Sequence, residues 1–103
     1  MNKDITVEEL KARMDAGEAL MIIDVREPHE YAEYNIGALN IPLGTLPMKI
    51  YDFDDDKNRE IIVHCRSGSR SNNAKAFLLQ SGFTNVKNLL GGMLEWQEKF
   101  PGK

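Results

Sequence analysis

The sequence predicts one α/β domain over residues 1–103, built on a mainly parallel sheet with helices packed against it. Three observations carry this prediction. Apolar, β-branched runs alternate along the chain with stretches of helical period. The two strongest runs, Leu20-Met-Ile-Ile-Asp-Val25 and Ile61-Ile-Val63, are almost continuously apolar, the pattern of parallel strands covered on both faces. And 103 residues supply a real core without room for a second one.

Taken in order, Thr6-Val-Glu-Glu9 is a capping box, with Thr6 at the N-cap and Glu9 three residues on. Ile5 and Leu10 are spaced for a hydrophobic staple across it. Val7, Leu10 and Met14 share the buried face, and Gly17 stops the helix. Leu20–Val25 is the first strand. Pro28 suits the first position of a short helix through Tyr34, Gly37 breaks it, and Ala38–Ile41 is a short strand ending at Pro42. Residues 43–60 predict an irregular or partly helical connection, with Leu43, Leu46, Met48, Ile50 and Phe53 folded onto the core. Its acidic end, Asp54-Asp-Asp-Lys-Asn-Arg59, reads as a solvated turn, since the alternating ligands and glycine of a calcium loop are missing. Ile61–Val63 is the central strand, and the period of Ala74, Phe77 and Leu78 predicts a helix from Ser71 to Gly82. Thr84–Leu90 is another strand, and Gly91-Gly92 a tight turn. Met93, Trp96 and Phe100 form the apolar face of a last helix closed by Pro101.

Composition narrows the function. Hydrophobic residues at 42%, charged residues at 28% and a net charge of −3 are ordinary for a globular protein and give no reason to expect nucleic acid or an anionic membrane as partner. No window approaches a membrane-spanning helix, and Met1–Thr6 lacks the apolar stretch of a secretory signal. A lone cysteine excludes an internal disulfide and suits a reducing, cytoplasmic setting. No cofactor-binding pattern is present.

Chemistry concentrates where the central strand ends. Cys65 stands at the hand-over from strand to helix, followed by Arg66-Ser67-Gly68-Ser69-Arg70-Ser71. Successive N–H groups of such a loop can converge on one anion, and the helix start and two arginines add positive charge. That environment favours a thiolate, the nucleophilic form. Arg66 to Ser71 are accordingly the candidate substrate-binding residues, with Gly68 giving backbone freedom and Ser71 also a helix cap. A buried, inert strand-end cysteine is the alternative. The flanking arginines and serines weigh against it.

Other candidates are weaker. His64 neighbours Cys65, but adjacent strand residues point to opposite faces, so it reads as packed rather than as the base of a dyad. His29 sits in a polar turn and reads as exposed, which leaves no metal site to argue. Asp24, a carboxylate in a buried strand, needs a partner, either Arg26 or the arginines near Cys65. Tyr31 and Tyr34 fit a pocket wall or simple packing equally well.

Cys65–Ser71, with Asp24-Val-Arg-Glu-Pro-His-Glu-Tyr31 upstream and Gly91-Gly-Met-Leu-Glu-Trp96 downstream, resembles a single-domain rhodanese over nearly the whole chain. One stretch departs from that pattern: Glu33-Tyr-Asn-Ile36 stands where rhodaneses often carry Gly-His-Ile before the Gly-Ala pair. The resemblance implies a three-layer domain with a central five-stranded sheet. It also implies that Asp24 and Arg26 brace the catalytic loop. It implies a sulfurtransferase that moves a sulfane sulfur from a small anionic donor, thiosulfate or polysulfide, through a Cys65 persulfide. With no second cysteine, the acceptor is external: cyanide, a small thiol or a protein cysteine. Two alternatives remain, a cysteine phosphatase or arsenate reductase on the same architecture, and a sulfur-carrier or regulatory module without catalysis. Cysteine phosphatases use a loop one residue longer than the four residues between Cys65 and Arg70, so the shorter ring favours sulfur.

Overall fold

The computed structural model describes residues 3–102, so the expectation about the first six residues rests partly on two, Met1 and Asn2, outside that range. Thr6 caps helix α1 (Val7–Asp15), accepting from the Glu9 N–H while Glu9 accepts from the Thr6 N–H. Ile5 and Leu10 are both buried in one cluster, as the staple requires. Strand β1 (Met21–Asp24) leads through a turn to α2 (Pro28–Glu33), whose first residue is the proline, and on to β2 (Leu39–Asn40). The stretch from 43 to 56 is two 3-10 turns flanking a short α3 (Leu46–Lys49). Leu43, Leu46, Ile50 and Phe53 reach the core, but Met48 is 77% exposed. Then come β3 (Ile61–His64), α4 (Ser69–Gln80), β4 (Val86–Asn88) and α5 (Gly92–Lys99).

The strands form one parallel sheet in the order β2-β1-β3-β4. This is four strands where the resemblance implied five. The missing one is reduced to Ile5, which makes a single parallel bridge to Leu89. Its N–H donates to the Asn88 carbonyl at 3.1 Å and its carbonyl accepts from Leu90 at 2.9 Å. Pairing ends there because the next residue, Thr6, is already the helix cap.

Alternation along β3 assigns the two cores. Ile61, Val63 and then Cys65 face one side with Ile23, Val25, Ala74, Leu78 and Leu46. Ile62 faces the other, with Val7, Leu10, Leu89, Met93 and Trp96. Helices α1 and α5 cover one face and α4 the other, so the sheet is the middle of three layers. No helix among the described residues is long and apolar enough to cross a membrane.

Candidate active site

Cys65 is the first residue beyond β3, at the carboxyl end of the central strand, where open parallel sheets bind ligands. The helix expected from Ser71 begins two residues earlier, at Ser69. Gly68 precedes it in the left-handed region, with φ +106°, a conformation that residues with a Cβ rarely hold. That turn aims amides at the sulfur. The Gly68 N–H lies 3.1 Å from Sγ, the Ser71 N–H 3.4 Å and the Ser71 Oγ 3.3 Å. Ser71 therefore is not a cap. It sits inside the first turn of α4, fully buried, with its hydroxyl on the sulfur.

Cys65 is 1% exposed and packs on one side against the aliphatic core. Burial pushes its thiol up, yet the Ser71 hydroxyl and then the Ser71, Gly68 and Ser67 N–H groups outweigh burial, and the thiol lies below its ordinary value. Hydrogen bonds, rather than the arginines, are the leading cause of that lowering.

The loop's carbonyls are tied elsewhere, which leaves its amides free to converge. Met93 N–H donates to the Cys65 carbonyl at 3.0 Å and Leu94 N–H to the Arg66 carbonyl at 2.9 Å. The start of α5 comes so close that a Cβ on Gly92 would lie 2.6 Å from both carbonyl oxygens. A second clamp comes from β4. Asn88 Nδ2 donates to the Gly68 carbonyl at 3.1 Å, and Asn88 Oδ1 accepts from Ser71 Oγ at 2.6 Å. Sequence reasoning misses Asn88. Its only signal is an amide at an inward position of a short buried strand.

Arg70 does not lie free beside the sulfur. Its guanidinium makes a two-pronged pair with Glu30 of α2, at 2.7 and 2.9 Å. Arg70 holds the Glu30 carboxyl down at about 2, so the pair stays ionised. Arg66 is exposed, as are Ser67 and Ser69, and no hydrogen bond or ion pair engages its side chain among the described residues. Arg26, Glu30, Tyr34, Arg66, Met93 and Leu94 line a cleft of about 310 Å³ beside the loop. A larger one, about 410 Å³, opens at the amino end of β1 and touches none of these groups.

Asp24 takes Arg26 as its partner, at 2.7 to 3.1 Å, and not the loop arginines. Arg26 Nη2 also donates to the Tyr34 carbonyl at 2.7 Å, so the pair fastens the end of α2. Its hydrogen bonds do not reach residues 66–71, and the bracing expected of it falls instead to Asn88 and α5. Tyr34 lines the cleft, whereas Tyr31 donates to the Ala38 carbonyl at 2.6 Å and links α2 to the start of β2. Where the sequence departs from the rhodanese pattern, Asn35 closes the turn, accepting from Gly37 N–H and donating to the Tyr31 carbonyl. His64 is fully buried, on the opposite face from Cys65, as the strand geometry predicts. Burial lowers it to about 4, so its 3.7 Å approach to Asp24 is a contact of a neutral ring and not an ion pair. His29 is exposed.

A sulfur ringed by main-chain donors at the end of a parallel strand is paired with a clear relationship. Residues 6–99 match the family model described as "Rhodanese-like domain". The chain belongs to the rhodanese-like domain family. It is 36% identical over 97 residues to a sulfurtransferase of Allochromatium vinosum, covering 93% of this chain and 89% of the relative. It is 43% identical over 96 residues to a putative sulfurtransferase, YtwF, of Bacillus subtilis, covering 92% and 90%. A solved structure, SSP1007 of Staphylococcus saprophyticus, superposes with a TM-score of 0.82 at 33% identity and 97% coverage of both chains. Of the motif residues quoted from the sequence, Arg26, Glu30, Arg66, Met93 and Leu94 line the cleft, and Gly92 packs against the Cys65 and Arg66 carbonyls.

Proposed function

We propose that this domain is a sulfurtransferase working through a Cys65 persulfide. The carrying observation is the convergence of the Gly68 and Ser71 amides and the Ser71 hydroxyl on one sulfur, with the thiol lowered by them. The Cys65 thiolate attacks the outer sulfur of thiosulfate or a polysulfide. The donor's S–S bond breaks and its electron pair leaves with sulfite or the shortened polysulfide. The loop amides then face the terminal sulfur, which carries the charge. A cyanide, small thiol or protein cysteine attacks that sulfur, and the electron pair of the broken Sγ–S bond returns to Cys65. Each step conserves charge and needs no cofactor. A sulfurtransferase among the relatives agrees with this reading, and a lone, unpaired cysteine suits a reducing, cytoplasmic setting for it.

Phosphatase chemistry is disfavoured on the same geometry. A phosphoester leaving group needs a proton donor, and the carboxyl attached to the loop arginine, Glu30, is kept ionised far below neutral pH. Incubation with thiosulfate or polysulfide, followed by mass spectrometry, should find one added sulfur on the Cys65 peptide, removed by cyanide. No addition from any sulfane donor, together with hydrolysis of an aryl phosphate, would replace the proposal.

A further inference from the structure

Ser71 has one hydroxyl proton, and two acceptors compete for it. Its Oγ lies 2.6 Å from Asn88 Oδ1 and 3.3 Å from Cys65 Sγ. The orientation of the Asn88 amide is fixed by its other end, since Nδ2 faces the Gly68 carbonyl and an oxygen there would meet an oxygen. The acceptor end must therefore face Ser71. Asn88 cannot easily move away. It is 5% exposed, its N–H donates to Asp4 Oδ1 at 3.0 Å, and its carbonyl takes the Ile5 N–H.

We propose that Asn88 is a positioning residue, which acts through Ser71 to give the Cys65 sulfur a hydroxyl donor only while that sulfur carries the charge. In the thiol, S–H donates to Ser71 Oγ, and the hydroxyl proton goes to Asn88. When the thiol loses its proton to a solvent base, the hydroxyl rotates about its C–O bond toward Sγ, and no O–H bond breaks. When a sulfane sulfur is attached, the charge moves to the outer atom and Sγ becomes a neutral, weak acceptor. The hydroxyl then returns to Asn88. The persulfide half of this cycle rests on the sulfurtransferase reading, whereas the thiol half does not.

The charged groups around this trio are the Asp4–Lys75 pair, the Arg70–Glu30 pair and exposed Arg66, with His64 on the opposite face of the sheet. Among the described residues, no carboxylate hydrogen-bonds Ser71 or Sγ, so the amide of Asn88 is the competitor for the hydroxyl.

The test is a double-mutant cycle read as the pH midpoint of Cys65 alkylation by iodoacetamide, using wild type, Asn88→Ala, Ser71→Ala and the double variant. Losing the Gly68 anchor shifts both backgrounds alike and cancels. The Asn88→Ala shift in wild type, minus its shift in the Ser71→Ala background, should be about 0.5 to 1 unit downward, the scale of one hydrogen bond. A difference of zero or upward makes Asn88 a scaffold only and overturns the proposal. Should the variants not fold, the Asn88 side-chain carbonyl 13C shift of the wild type serves. It should titrate with the Cys65 midpoint, and a flat profile overturns the proposal equally. Alkylation needs no sulfur donor. An uncoupled cycle in a protein that still forms the persulfide sinks this inference alone, and a coupled cycle without persulfide sinks the sulfurtransferase reading alone.

Discussion

Ser71 and Glu30 divide the electrostatic work at the cysteine. Ser71 touches the sulfur and heads the lowering influences on it, whereas Glu30 acts on the loop's charge by occupying Arg70. Ser71→Ala should therefore raise the pH midpoint of Cys65 alkylation by about one unit, on the scale of one lost hydrogen bond to an ionised group. An unchanged midpoint would show that the amides alone suffice. Glu30→Gln should free Arg70 for a dianionic donor and lower the KM for thiosulfate by up to roughly fivefold, the range of a partly exposed ion pair. A KM that stays constant or rises would mean that Arg70 needs Glu30 to hold it over the site. Cys65 and its loop are legible in the sequence because strand end, small residues and arginines are contiguous there. Asn88 and Glu30 are not, since they meet the loop from 17 and 40 residues away. No local pattern announces such a meeting.

Local chemistry decides how much of each element can be read. The capping box, the proline at the start of α2 and the continuous apolar strands are each determined by near neighbours, and the structure has them all. Side-chain pattern alone puts the start of α4 two residues late, because a glycine in the left-handed region can open a helix without a side-chain cap. Hydropathy alone turns Met48 inward, but the 3-10 turns break the helical period that would have carried it there. Gly91-Gly92 reads as a turn, and its second glycine has a further role as the contact surface for the loop carbonyls. Gly92→Ala forces both a positive φ of 54° and a 2.6 Å contact with main-chain oxygens. It should cost roughly 2–4 kcal/mol in urea unfolding. A loss below about 1 kcal/mol would show that α5 can shift away from the loop.

At the scale of the molecule, a neutral imidazole is enclosed between the sheet and the layer of α1 and α5. His64 titrates at about 4 in the fold, against 6.5 for an unconstrained ring. Above pH 6.5 the ring is neutral whether folded or unfolded, so it adds no pH dependence there. As pH falls from 6.5 toward 4, only the unfolded chain takes the proton, and stability drops by up to about 3 kcal/mol. Urea unfolding measured across that window should show the decline, and His64→Gln should flatten it. An equal slope in the variant would assign the acid sensitivity to other groups.

The acidic residue near the amino end, Asp4, reaches further than its place suggests. Its carboxylate takes the Asn88 N–H and the Lys75 ammonium, so residues ahead of the first helix lie two hydrogen bonds from the Ser71 hydroxyl. The reactive centre is therefore tied to both ends of the chain, through Asp4 on one side and through the Met93 and Leu94 N–H groups of the last helix on the other.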